Sequence, residues 1–98
     1  MSNNLKAIDT AIRREQRIND GFVYNYELIM HKSKAEEAVR YSMSAELLRE
    51  DGAVITRAQT GAVFLSEEKA IRFFEKAKDN LATPKNLPYL LEDSIVID

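Results

Sequence analysis

In the stretch Phe22-Val23-Tyr24-Asn25-Tyr26-Glu27-Leu28-Ile29-Met30-His31, the large side chains Phe22, Tyr24, Tyr26, Leu28 and Met30 recur at every second position, with Asn25, Glu27 and His31 out of phase. A period of two belongs to an extended chain, whose successive side chains point to opposite faces. The stretch therefore predicts a strand with one buried face. After the polar run Lys32 to Glu37, read as a loop, the alternation resumes. Val39, Tyr41, Met43, Ala45 and Leu47 face one way, and Arg40, Ser42, Ser44 and Glu46 the other. Asp51-Gly52 follows, a dipeptide that tolerates positive φ and closes hairpins, so the next strand is expected to return antiparallel.

That third strand is expected from Ala53 toward Leu65, with Val54, Thr56 and Ala58 inward and Arg57 and Gln59 outward. Gly61 interrupts it and marks a bulge, beyond which Val63 or Leu65 changes face. Ser66 is the expected N-cap of a helix whose first turn holds Glu67 and Glu68, where the helix dipole favours acids. Ala70, Phe73, Phe74, Ala77 and Leu81 form its apolar stripe, and Glu68 with Arg72 an i, i+4 ion pair. A turn through Pro84 leads to a short final helix carrying Leu87, Leu90, Leu91 and Ile95, with Pro88 in its first turn.

Ahead of the first strand, Leu5, Ile8 and Ile12 are three or four apart, the spacing of a narrow helical stripe over Leu5 to Ile18, capped by Asn3 or Asn4. Past Ile12 the run Arg13-Arg14-Glu15-Gln16-Arg17 carries nothing apolar. Residues 1–20 are accordingly read as a segment either helical or mobile, ordering against a partner, with Asp20-Gly21 as its break. Residues 21–98 are read as a single two-layer domain. The expected fold class is α+β: a three-stranded antiparallel meander packed on one main helix, with a short C-terminal helix and, where the first segment orders, an N-terminal one.

Composition narrows the function classes. At 98 residues there is room for one core. With 45% hydrophobic and 31% charged residues, three glycines and two prolines, the chain has the make-up of a folded domain. The absence of cysteine removes disulfide frameworks, thiolate metal sites and thiol nucleophiles, and a reducing cytoplasm is the expected location. The longest apolar run singled out, Ala62 to Leu65, is far too short to span a bilayer, and residues 1–20 lack a signal-peptide core, so no membrane partner is expected. A formal charge of −2 with interspersed signs gives no strong field toward nucleic acid.

From Val23 onward the order of strand, loop, strand, Gly turn, strand, Ser-capped acidic helix and Pro-containing tail resembles a small clostridial family that carries only a domain-of-unknown-function label. The family closes on a motif like Leu-Ser-Pro-x-His-Leu followed by a Val-Val-Glu-Asp run. Here Leu81-Ala82-Thr83-Pro84-Lys85-Asn86-Leu87 precedes Leu90-Leu91-Glu92-Asp93. The resemblance spans residues 23–95 and implies a shared fold. Asn86 stands at the family's His and Tyr89 at its usual Asp, so no polar site is carried over.

His31 is the only histidine and cannot by itself form a histidine metal site; a Ser-His-Asp arrangement would need partners that sequence does not place. It is read as a surface group. The acid pairs Glu36-Glu37, Glu67-Glu68 and Glu92-Asp93 have no calcium-loop spacing and read as solvated faces or a helix start. Gly21, Gly52 and Gly61 are isolated, so no phosphate-binding loop is present. Arg13, Arg14 and Arg17 with Lys69, Arg72 and Lys76 could touch a phosphate backbone, but Glu15, Glu68, Glu75 and Asp79 are interleaved with them. Tyr24, Tyr26 and Tyr41 share a phase with Leu28, Met30 and Met43, which makes them core rather than base-stacking platforms.

No catalytic residue, cofactor or metal site is assigned. The leading expectation is a non-enzymatic interaction or regulatory module that self-associates. The surfaces expected to carry this are the Leu5/Ile8/Ile12 stripe or the Thr60 to Leu65 edge, an uncharged stretch without a guard residue that either packs internally or meets another chain. A nucleic-acid accessory protein using the six basic residues is the second reading, and an enzyme assembled across an oligomer interface the third.

Overall fold

The computed structural model describes residues 7–33 and 39–97. Its elements are β1 (Ala7–Asn19), β2 (Phe22–Ser33), β3 (Val39–Arg49), β4 (Val54–Gln59), α1 (Glu67–Asp79) and α2 (Leu87–Ile97). The strands form one antiparallel meander in the order β1-β2-β3-β4. The class is α+β, but the sheet has four strands rather than three. The residues read as an N-terminal helix are its first strand.

The reason lies in what β1 faces. Glu15 opposes Tyr26, Arg13 opposes Leu28 and Arg17 opposes Tyr24, so the inward positions of β1 are charged. They meet the charged flank of α1: Arg13 lies 3.9 Å from Glu75, Arg17 3.9 Å from Asp79, and Glu15 3.9 Å from Lys78. A strand whose inward side is made of half-exposed ion pairs shows no apolar period of two. A bulge between Ala11 and Arg13 also shifts the phase, bringing Ile12 against the core. Asp20-Gly21, with φ of 53° and 82°, is the two-residue turn of the β1–β2 hairpin, the geometry that Asp-Gly favours.

On β2 and β3 the alternation read from the sequence holds. Tyr26, Leu28, Tyr41, Met43 and Ala45 are buried on one face, where Ala70, Phe73, Phe74 and Ala77 of α1 and Leu87 of α2 cover them. Tyr26 donates its hydroxyl to the Ala82 carbonyl at 2.8 Å, tying the sheet to the link between the helices. Burial pushes its phenol up to about 12.

Ser66 caps α1, its hydroxyl accepting from Lys69 N at 3.4 Å, and Glu68 pairs with Arg72 as the spacing predicts. Leu81 is not part of the helical stripe. It follows the Asn80 cap with φ of 50°, and the bonds from Leu81 N to Lys78 O and from Ala82 N to Ala77 O close a Schellman turn.

The third predicted strand is shorter than expected, ending at Gln59, and a register shift beside Leu48 places Val54 opposite Leu48 on the outer face rather than inward. Of Thr60 to Leu65 only part packs internally, Val63 and Leu65 being 48% and 68% exposed. Thr60 N donates to Met43 O, Tyr41 and Phe64 exchange backbone bonds, and Thr60 and Phe64 are buried.

Candidate interaction face on the open side of the sheet

Both helices pack on the inner face of the sheet, and the thinnest dimension, 18 Å, leaves room for one sheet and one helical layer. Among the described residues neither helix covers the outer face. Strand register divides it into rows that run across all four strands, one residue from each.

At the end nearest the β1–β2 and β3–β4 turns lies Ile18-Val23-Leu48-Val54, a row of four apolar side chains. Ile18 is 67% exposed and Val54 45%, with Ile55 beside it at 47%. Val23 and Leu48 are half-buried between them.

The next row is Gln16-Asn25-Glu46-Arg57, and it is bonded from edge to edge. Gln16 Nε2 donates to Asn25 Oδ1 at 3.0 Å, Asn25 Nδ2 to Glu46 Oε1 at 3.4 Å, and Arg57 pairs with Glu46 at 3.1 Å. A third row, Arg14-Glu27-Ser44-Gln59, carries the 2.7 Å Arg14–Glu27 bond. Together the two polar rows line a trough of about 770 Å³. Such a volume suits a small ligand, yet Arg14 and Arg57 already have carboxylate partners within the chain.

At the far end a diagonal chain again touches every strand. Asp9 Oδ1 lies 2.8 Å from His31 Nδ1, His31 Nε2 lies 2.6 Å from Ser42 Oγ, and Gln59 Nε2 donates to Ser42 Oγ at 3.2 Å. With the imidazole proton on Nδ1 toward Asp9, the Ser42 hydroxyl donates to Nε2 and every contact is satisfied. This is the order of an acid–histidine–serine relay, and its spacing is right for one.

The serine of this chain is closed off. Ser42 is 0% exposed, and the neighbouring Met43 N donates to Thr60 Oγ1 at 3.0 Å, leaving that amide unavailable to a developing oxyanion. The chain explains instead how a buried serine and a histidine side chain only 21% exposed are satisfied on the outer face. His31 is thus more engaged than the surface group read from the sequence. Its partners, 11 and 22 residues away in sequence, could not be located from spacing.

The other residues singled out are dispersed or already paired. Among the six basic positions, Arg13, Arg14, Arg17 and Arg72 sit in ion pairs with Glu75, Glu27, Asp79 and Glu68, and they divide between the inner and outer sides of the sheet and the α1 flank. Tyr26 and Tyr41 are buried, so neither offers a face for stacking. Glu67 and Glu68 occupy the first turn of α1. Glu36 and Glu37, the Asp93 side chain and Leu5 lie outside the described residues. Ile8 is half exposed near the start of β1, while Ile12 packs on the core, so the two do not form a common outward stripe. Among the described residues no group of three or more His, Asp or Glu is placed to hold a metal ion, and no helix is long and apolar enough to cross a membrane.

One polar group outside the face is electrostatically perturbed. Glu75 accepts from the buried Lys78 at 2.6 Å, and this bond, aided by Arg13 and Arg17, holds its carboxyl below the usual value. It pins α1 to β1 and belongs to the fold.

No family model, curated protein or solved structure matches the chain.

Proposed function

We propose that the chain is a non-enzymatic protein-interaction module that docks a protein on the open face of its sheet. The observation that carries this reading is the row Ile18-Val23-Leu48-Val54: apolar side chains from four strands, aligned in register and left facing solvent. Single exposed aliphatics are ordinary, but a contiguous row beside a patterned polar surface is the make-up of an interface, with an apolar centre and a hydrogen-bonding surround. The relay through His31 supports the reading indirectly, since a hydroxyl with no access to solvent is framework rather than nucleophile.

The test is a photo-crosslinking amino acid placed at Val23 on the open face and, separately, at Tyr89 on α2, which is 67% exposed. The full chain is then irradiated in cells. The expected outcome is a protein adduct from position 23 that is absent from position 89 and disappears when Ile18 and Val54 are both changed to lysine. Equal yields from the two positions, or none from position 23, would remove the open face as the docking surface.

A further inference from the structure

Resting on that reading, we infer that the occupant of the open face is a second copy of this chain, packed sheet against sheet about a two-fold axis parallel to the strands and midway between β2 and β3. Such an axis lays β1 over β4 of the second copy and β2 over its β3, and every row falls on its own reverse. Ile18 then meets Val54 of the second copy, and Val23 meets its Leu48. The apolar row closes on itself without any shift along the strands.

The polar rows tolerate the same operation. Gln16 falls opposite Arg57, Asn25 opposite Glu46, Arg14 opposite Gln59 and Glu27 opposite Ser44, so none of these positions places like charges face to face. Across the whole face Arg14, Arg40 and Arg57 stand against Asp9, Glu27 and Glu46. A surface that is charged yet balanced is complementary to itself, whereas a basic or acidic partner would have to overcome half of it.

Size agrees. Four strands of 13, 12, 11 and 6 residues, at about 3.4 Å per residue and about 4.8 Å apart, give a face of roughly 700 Å², close to the roughly 800 Å² that one partner contributes to a standard stable interface.

The register of this pairing gives a test that loss of binding alone would not. Within one chain, positions 18 and 54 sit on opposite edges of the sheet, about 14 Å apart, far enough for salt to screen charges placed there. Across the two-fold they are neighbours. Sedimentation of the full chain is expected to show a dimer. The pair Ile18→Lys with Val54→Lys should weaken it by about a hundredfold or more, and Ile18→Lys with Val54→Glu should recover most of that loss.

Circular dichroism and melting of both variants, which alter only exposed side chains, serve as the control for folding. A dimer that both variants leave intact, or that both abolish equally, overturns the pairing proposed. A wild-type chain that stays monomeric at several hundred micromolar excludes the second copy. In that case crosslinking from position 23 decides the broader reading on its own: an adduct with a different protein keeps it, and no adduct ends it.

Discussion

The two faces of this sheet are built from the same residues taken alternately, and they are stabilised in different ways. The inner face is a dry layer in which Leu28, Met43, Phe74 and Ala77 have no measurable exposure. The outer face is held by polar chains, Gln16-Asn25-Glu46-Arg57 at one level and Asp9-His31-Ser42-Gln59 at another, each tying all four strands together. Burial of apolar surface fixes the fold on the first side. On the second, hydrogen bonds between neighbouring strands satisfy the polar side chains, and under the proposed docking the row at Ile18 would supply the apolar contact. If the proposed docking holds, inner substitutions act on stability and outer ones on association.

The largest expected effect tests that division directly. Phe74→Ala removes a fully buried ring at the centre of α1 and should cost about 3 to 5 kcal/mol. Leu48→Ala, on the half-buried outer row, should cost less than about 1.5 kcal/mol, because little surrounds the methyl groups it removes. Both are read by urea denaturation at concentrations where the chain is monomeric. Comparable costs for the two would show that the outer row is core, and that no free apolar surface exists.

A smaller effect separates the polar contacts of the two sides. Tyr26→Phe deletes the bond to the Ala82 carbonyl and should cost about 1 to 2 kcal/mol near neutral pH, since it leaves a buried acceptor unpaired. The pH dependence has a definite sign. Burial raises the phenol from 10.0 to about 12, so its stabilising contribution is complete below pH 10 and is lost as pH rises toward 12. The phenylalanine variant should lack that part of the alkaline decline, which melting temperatures measured from pH 9 to 12 would show. An unchanged slope would place the Tyr26 hydroxyl in water.

How much of this was legible follows from what each strand faces. On β2 and β3 the inward residues are apolar and most of the outward ones polar, so the sequence carried their phase. On β1 the inward Arg13, Glu15 and Arg17 pair with Glu75, Lys78 and Asp79, residues more than fifty positions away, and a hydrophobic pattern has no means of recording an ion pair. Ile8 and Ile12, separated by four residues ahead of a bulge, imitated a helical stripe. A signal lies in Asp20-Gly21, the same dipeptide as the hairpin centre Asp51-Gly52, which marks a hairpin turn as readily as a break. The outer apolar row was invisible for a different reason. Val23 and Leu48 are apolar residues out of phase in their strands, and only register shows that they align with Ile18 and Val54.

That register rests on the turn, which gives the smallest of the expected effects. Gly21 has φ of 82°, and a Cβ placed there would meet nothing within 4 Å. Gly21→Ala therefore has no steric cost beyond its own backbone, and should destabilise the chain by about 1 kcal/mol, the penalty of a left-handed conformation for an L-residue. Gly61 makes the contrast. It has no positive φ, and its added methyl would meet only the Val63 Cγ1 at 3.6 Å, an ordinary contact. Gly61→Ala should be neutral or slightly stabilising, because it restricts the unfolded chain without straining the folded one. Thermal melts of the two variants side by side decide the matter. A larger loss at Gly61 than at Gly21 would mean that the β1–β2 hairpin does not depend on this two-residue turn. The alignment of Arg17 inward and Ile18 outward, on which both the ion-paired core edge and the open apolar row depend, would then need another origin.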